Sequence, residues 1–239
     1  MTPTDEIPQH FGTEFLEWLQ RATERAWSAV AERSLSEFER AGVGGTSWRN
    51  GTHWTGGLSE VEVDEAERRY GLDFPADYRL FLRTLHATTP RLAGAGFVDD
   101  RKMQPIDRPG FFDWRSDDEE IRGALAWPLE SLAFDVENNM LWPQTWGTRP
   151  NTSEERAHRL EELLAAAPKL IPIVGHRFMV PVEPHVVLSV YQSDIIVYGY
   201  DFRSFLLAEL APLLSLERDF GGGEEVSVAG VPFWGELAD

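Results

Sequence analysis

Carboxylates beside indole rings are the residues of this chain best equipped for chemistry. Asp113, Asp117 and Asp118 flank Trp114, and Asp135 and Glu137 lie just ahead of Trp142 and Trp146. Glycosidases set two acids across a scissile bond and line the cleft with aromatic rings, so a carbohydrate-active hydrolase or sugar-binding module using Trp142, Trp146 and the nearby acids is one reading. With 40 acidic residues and nine Trp in 239 positions, such neighbours also arise by chance, and solvated acids beside half-buried indoles account for them as well. Other catalytic signatures are missing from the sequence. His10, His53, His86, His158, His176 and His185 contain no pair at helical i, i+4 spacing for a metal. Ser189 and Ser193 lack the G-x-S-x-G setting of a nucleophile elbow. Gly42, Gly44 and Gly45 follow a helical pattern instead of a strand, and the Gly221–Gly223 triplet lacks the Lys and Ser or Thr of a phosphate loop. No catalytic residue, metal ligand or cofactor is expected.

Binding is the chemistry that remains. From Asp99 to Glu137 there are eleven acids and five basic residues, interleaved with Phe111, Phe112, Trp114 and Trp127. Aromatic anchors inside a charged rim give protein interfaces both affinity and orientation. Asp99, Asp100, Asp113, Trp114, Asp117, Asp118 and Glu119 form the expected contact set, with the acids steering a partner and Trp114 anchoring it. A second polar group, Arg149, His176, Arg177 and Asp194, lies among apolar runs; buried without partners these side chains would each cost a few kcal/mol, so mutual hydrogen bonds or a binding role are expected. The formal charge of −18 opposes direct contact with nucleic-acid phosphates and favours a basic protein partner. The absence of Cys excludes disulfides and thiolate chemistry and suits the cytosol. No apolar leader opens the sequence and no run is long enough to span a membrane.

These side chains need elements to position them. Phe15, Leu19, Ala22, Ala26 and Ala29 recur at helical spacing and predict an amphipathic helix within 11–40, followed by a Gly- and Trp-rich loop to Gly57. Ser59 and Glu62 form a capping box for a helix to Tyr70; Gly71 stops it, and Pro75 opens a second helix through Tyr78, Phe81, Leu82 and Leu85. Residues 91–137 read mainly as loops, with a helical turn capped by Ser116, and 132–136 with 140–142 read as a strand pair turning at Asn138 and Asn139. Thr152 and Glu155 cap a helix that Pro168 ends. Strands are expected at 170–174, 177–180, 186–191 and 195–200, then a helix capped by Asp201. Val226, Val228, Val231 and Phe233 suggest an edge strand in the tail. Helices first, strands next and a final helix predict an α+β fold with a mainly antiparallel sheet packed against helices. The expected division is an N-terminal extension at 1–57, one domain at 58–214 and a tail at 215–239.

The order of these parts resembles a known family. LSEVEVDEAERRYGLDFPADYRLFLRTLHA, from Leu58 to Ala87, looks like the opening of SUKH-superfamily domains, the group that includes the fungal Smi/Knr cell-wall regulators. A short acidic helix, a Gly, an apolar–x–apolar–Pro step and a Tyr-centred second helix are matched here by Glu67, Gly71, Leu72 to Pro75 and Tyr78. The later segments from Ala126 to Pro150, LIPIVGHR and LSVYQSDIIVYGYDF resemble a bacterial branch of the same family. The resemblance spans roughly 58–214 and implies a non-enzymatic domain that works by binding proteins. Many bacterial members are immunity proteins that neutralise nuclease or other polymorphic toxins, while fungal members are regulatory scaffolds. Both readings stay open at this point, and the resemblance names no contact residue.

Overall fold

A computed structural model describes residues 6–41, 45–98, 102–216 and 226–238. In chain order its elements are α1 (Thr13–Trp27), α2 (Leu35–Ala41), β1 (Gly45–Ser47), β2 (His53–Trp54), α3 (Glu60–Tyr70), α4 (Ala76–Thr84), β3 (Thr88–Thr89), β4 (Leu92–Val98), β5 (Lys102–Arg108), α5 (Asp118–Asn138), a 3-10 turn at Gln144–Trp146, α6 (Ser153–Ala166), β6 (Ile171–Val174), β7 (Arg177–Met179), β8 (Val187–Tyr191), β9 (Asp194–Gly199), α7 (Phe202–Leu214) and α8 (Trp234–Leu237). The fold is α+β with antiparallel sheets. Among the described residues no helix is long and apolar enough to cross a membrane.

The centre is the meander β6-β7-β8-β9. Successive strand residues point to opposite faces, and here both faces are covered. Ile171, Ile173, Met179 and Val187 join a core with α1, α3, α4 and α7, whereas Leu170, Phe178, Leu188 and Val190 join another with α5, α6 and the tail. This explains why the strands read as nearly continuous apolar runs without polar alternation. The capping box at Ser59 and Glu62, the left-handed Gly71 and the Asp201 cap on Ser204 are all present, as their sequence signals require.

Five expectations are corrected. The single helix within 11–40 is two, because Trp27 ends α1 in the core and Ser34 opens α2, its N–H and hydroxyl both donating to the Glu37 carboxylate at 2.6 and 2.8 Å. That S-x-x-E pattern was a readable signal. The described part of the N-terminal extension expected at 1–57 is joined to the rest of the fold: Phe15, Leu16 and Leu19 are fully buried in the same core as α4 and α7, and β2 pairs with β3.

Three regular elements, β4, β5 and α5, occupy most of the described part of 91–137, where loops were expected. β4 and β5 form a hairpin, and Gly94 allows β1 to lie beside it, since a Cβ there would stand 2.4 Å from the Gly45 carbonyl oxygen. The strand pair expected around Asn138 is instead the end of α5, whose Ile121, Pro128, Leu132 and Val136 form a buried stripe. Pro128 concealed this helix: its ring removes one backbone donor, but packing of the stripe retains the helix around it. Finally, among the described residues of the tail, 226–233 form no edge strand. Val231 and Trp234 are buried, and Trp234 Nε1 donates to the Pro168 carbonyl at 2.8 Å, so a turn and α8 close the second core.

Candidate functional site

The expected acidic contact set does not assemble around an exposed indole. Asp99 and Asp100 lie outside the described residues. Trp114 is only 5% exposed; its Nε1 donates to the Tyr78 hydroxyl and its backbone N–H to His86 Nε2, both at 2.9 Å. It is a core residue and not an interface anchor, because the segment it occupies folds inward over α3 and α4. Asp117 is buried as well, accepting from the Asp113 N–H and from Arg91, and burial raises its pKa despite that cation. Asp118 accepts from the Tyr70 hydroxyl and pairs with Arg69 and Arg122. Glu119 remains exposed, and Asp113 is half-buried beside His86.

The second polar group is also dispersed. Arg149 donates to the Val136 carbonyl at 2.7 Å, while Arg177 pairs with Glu209 at 3.3 Å, donates to Ser189 and lies 3.7 Å over the Tyr198 ring. Asp194 is exposed at the solvent end of the β8–β9 hairpin. The expected mutual network does not form: Arg149 lies in the loop ahead of α6, away from the meander, and Arg177 is engaged by Glu209 and Ser189. The acids of the hydrolase reading are structural: Asp135 holds the Ser193 N–H at 2.7 Å and Asn139, and Glu137 clamps Arg156 at 2.6 Å. Trp146 is buried against Phe233, and Trp142 donates to the Gly147 carbonyl at 2.9 Å.

One arrangement imitates a hydrolytic triad. Thr55 Oγ1 is 3.3 Å from His86 Nδ1, and His86 Nε2 is 3.4 Å from Asp113 Oδ1. The proton positions are wrong for it. Nε2 accepts from the Trp114 N–H and so carries no proton for Asp113 to hold, while Nδ1 also faces the Arg115 guanidinium at 3.2 Å. Burial also pushes the His86 pKa well down, against the opposing pull of Asp113.

The site that does form is a forked groove where the β1-β4-β5 sheet overhangs the β6–β7 turn. Its first arm, about 540 Å³, is walled by Trp48, Leu92, Gly96 and Ile106 with Arg177 and Glu209 opposite. The second, about 420 Å³, is walled by Phe112, Ala124, Trp127, Tyr191, Arg91 and Glu120. Arg108, Pro109, Gly175 and His176 belong to both.

Local folding accounts for these positions. The segment after β5 runs beside β6, with Phe112 N–H donating to the Ile173 carbonyl at 3.1 Å, which brings Pro109 and Phe112 to the turn. Gly175 makes that turn at φ +53°, and the His176 carbonyl accepts from Val190 at 3.0 Å. Trp127 Nε1 donates to the Val190 carbonyl at 2.9 Å, tying α5 to β8 and fixing its ring 6.0 Å from that of Tyr191. His176 meets Tyr191 edge-on, also at 6.0 Å. Burial and neighbouring Arg177 lower the His176 pKa, which favours the neutral ring. Pro128 has no N–H for the Ala124 carbonyl, so a backbone acceptor on the groove wall lacks its helical donor.

Each carboxylate lining the groove already has a guanidinium partner: Asp107 has Arg49, Glu120 has Arg91 and Glu209 has Arg177. Arg108 makes no ion pair among the described residues. At Gly123 an added methyl would meet nothing within 4 Å. Gly123→Ala is therefore expected to raise stability by about 0.5–1 kcal/mol, read as a higher urea midpoint, because alanine loses less backbone entropy in a helix. A lower midpoint would show that α5 requires glycine there.

Sequence reasoning placed His176 and Arg177 in a candidate group but missed Trp127, Tyr191 and Arg108 as its companions. The strand-end position of Tyr191 was visible; its meeting with a ring 64 residues earlier on a helix was not. No protein-family model matches this chain, and neither a curated protein nor a solved structure matches it.

Proposed function

We propose that this chain is a non-enzymatic, cytosolic protein-binding module of the SUKH kind, acting as an immunity protein toward a basic toxin domain. The observation that carries this reading is the forked groove, an open recess walled by indole, phenol and imidazole rings and rimmed by arginines. Tyr, Trp and Arg are the side chains that concentrate binding energy at protein interfaces. Tyr191, 56% exposed yet flanked by two rings, is the anchor in this scheme. The charge of −18 adds long-range attraction for a basic partner, speeding encounter without fixing the docked geometry.

The test is co-expression with a toxin domain encoded beside this gene, together with stopped-flow association of the purified pair. Protection of growth, and an association rate falling about tenfold or more between low and physiological salt, are the expected results. Tyr191→Ala should shorten the lifetime of the complex with little change in the association rate, since truncating an anchor acts mainly on dissociation. Unprotected growth with no complex at micromolar concentrations would sink the proposal.

A further inference from the structure

We infer that the groove recognises an aromatic side chain next to a carboxylate, presented by the partner as an aromatic residue followed by an acidic one. The inference rests on the protein-binding reading and specifies what the partner offers. It sets local chemistry against the global charge: a basic toxin is drawn in by the acidic surface, yet the segment entering this groove is itself acidic and aromatic.

Three observations support this assignment. The second arm is walled by Trp127 and Tyr191 with the imidazole of His176 at its junction, and aromatic pairs favour offset or edge-on contact with another ring over random packing. The open space above Gly123 and the small Ala124 leave α5 without a side chain to fill that arm. The charges then select the neighbouring group. Asp107, Glu120 and Glu209 are each engaged by an arginine, so an incoming cation would have to displace an existing partner. Arg108 stands at the junction of the arms with no carboxylate among the described residues, and its planar donor fork matches a carboxylate. A ring in the second arm with an acid at the fork uses both features. The wider first arm leaves room for the chain to continue.

Pro105 in edge strand β5 also argues for side-chain recognition, because a proline interrupts the row of backbone donors that strand addition requires.

The probes are three blocked dipeptides, N-acetyl-Phe-Asp-amide, N-acetyl-Phe-Asn-amide and N-acetyl-Ala-Asp-amide, titrated into the full chain by NMR at the Trp127 indole N–H and the His176 ring. Millimolar binding of the Phe-Asp probe is expected, weakening about fivefold or more when either the ring or the charge is removed. Arg108→Gln should abolish the preference for Asp over Asn while leaving ring binding intact. Gly123→Leu, which fills the arm from an exposed helical position, should eliminate binding while retaining a cooperative unfolding transition.

Equal affinity for the Asp and Asn probes, an unchanged preference in Arg108→Gln, or no shift at about 20 mM probe, a ceiling that would detect millimolar binding, would each overturn the inference. Those results leave the protein-binding reading to its own test, since complex formation with a toxin domain is read separately. Conversely, a chain that discriminates the probes but forms no such complex keeps the groove chemistry and loses the immunity role.

Discussion

Trp114→Ala is expected to cost the fold about 3–5 kcal/mol, the range for emptying a buried indole site. Trp114 lies between Tyr70, Phe74 and Tyr78, with ring centroids 5.4, 4.9 and 6.4 Å away, all edge-on. The change removes these contacts and leaves the Tyr78 hydroxyl without the donor at 2.9 Å. That hydroxyl sits in a fully buried ring, so its lost partner adds a desolvation cost to the cavity. Urea unfolding followed by circular dichroism measures the change. An interface anchor exposed to solvent would behave differently: its truncation would move the midpoint little, since surface changes stay within about 0.5 kcal/mol. A small shift would therefore restore Trp114 to the surface role suggested by its acidic neighbours.

The second large effect is a loss of stability on acidification, centred on His86. This ring is fully buried, and its Nδ1 lies 3.2 Å from the Arg115 guanidinium. Charging it would break the bond from the Trp114 N–H and place a second cation beside Arg115. Burial, with Arg115 adding to it, pushes the pKa from 6.5 to about 4, although Asp113 pulls the other way. In that interval the unfolded chain binds more protons than the folded one. The contribution is thus fully present above pH 6.5 and is lost as pH falls through that interval, about 3 kcal/mol in all.

Glu62 and Glu137 act in a lower window. Arg115 and Arg156 hold their pKa values down to about 2, so their contributions are lost only as pH falls below about 4.5. Urea midpoints measured from pH 7 to 4 should fall for the wild type. His86→Gln, less stable throughout, should lose the part of the slope that lies above pH 4.5. A flat wild-type profile over that range would remove His86 from the acid response.

How far the sequence could be read depended on the distance over which each signal acts. Ser59 with Glu62, Gly71 and Asp201 act within one helical turn, and the structure shows each of them where spacing placed it. The meander was legible because every strand from Ile171 to Gly199 carries its own apolar run and its connections are short. α5 was not, because Pro128 interrupts a helix whose stability comes from the cores on either side. The β4 strand was obscured for a related reason: its glycines signal a loop locally, and only the approach of β1 makes Gly94 necessary.

The functional residues divide in the same way. Sequence alone determined the charge of −18, the lack of cysteine chemistry, the caps and the apolar strands, since these follow from composition and near-neighbour spacing. Only the tertiary structure decided that Trp114 and Asp117 turn inward, that Asp135 and Glu137 spend their charge on internal donors, and that Arg108, Trp127, His176 and Tyr191 meet around one groove. An acidic residue beside an aromatic one has the same local sequence whether it faces solvent or the core. What separates the two outcomes is the free energy of burying the ring against Tyr70, Phe74 and Tyr78, and that depends on partners tens of residues away.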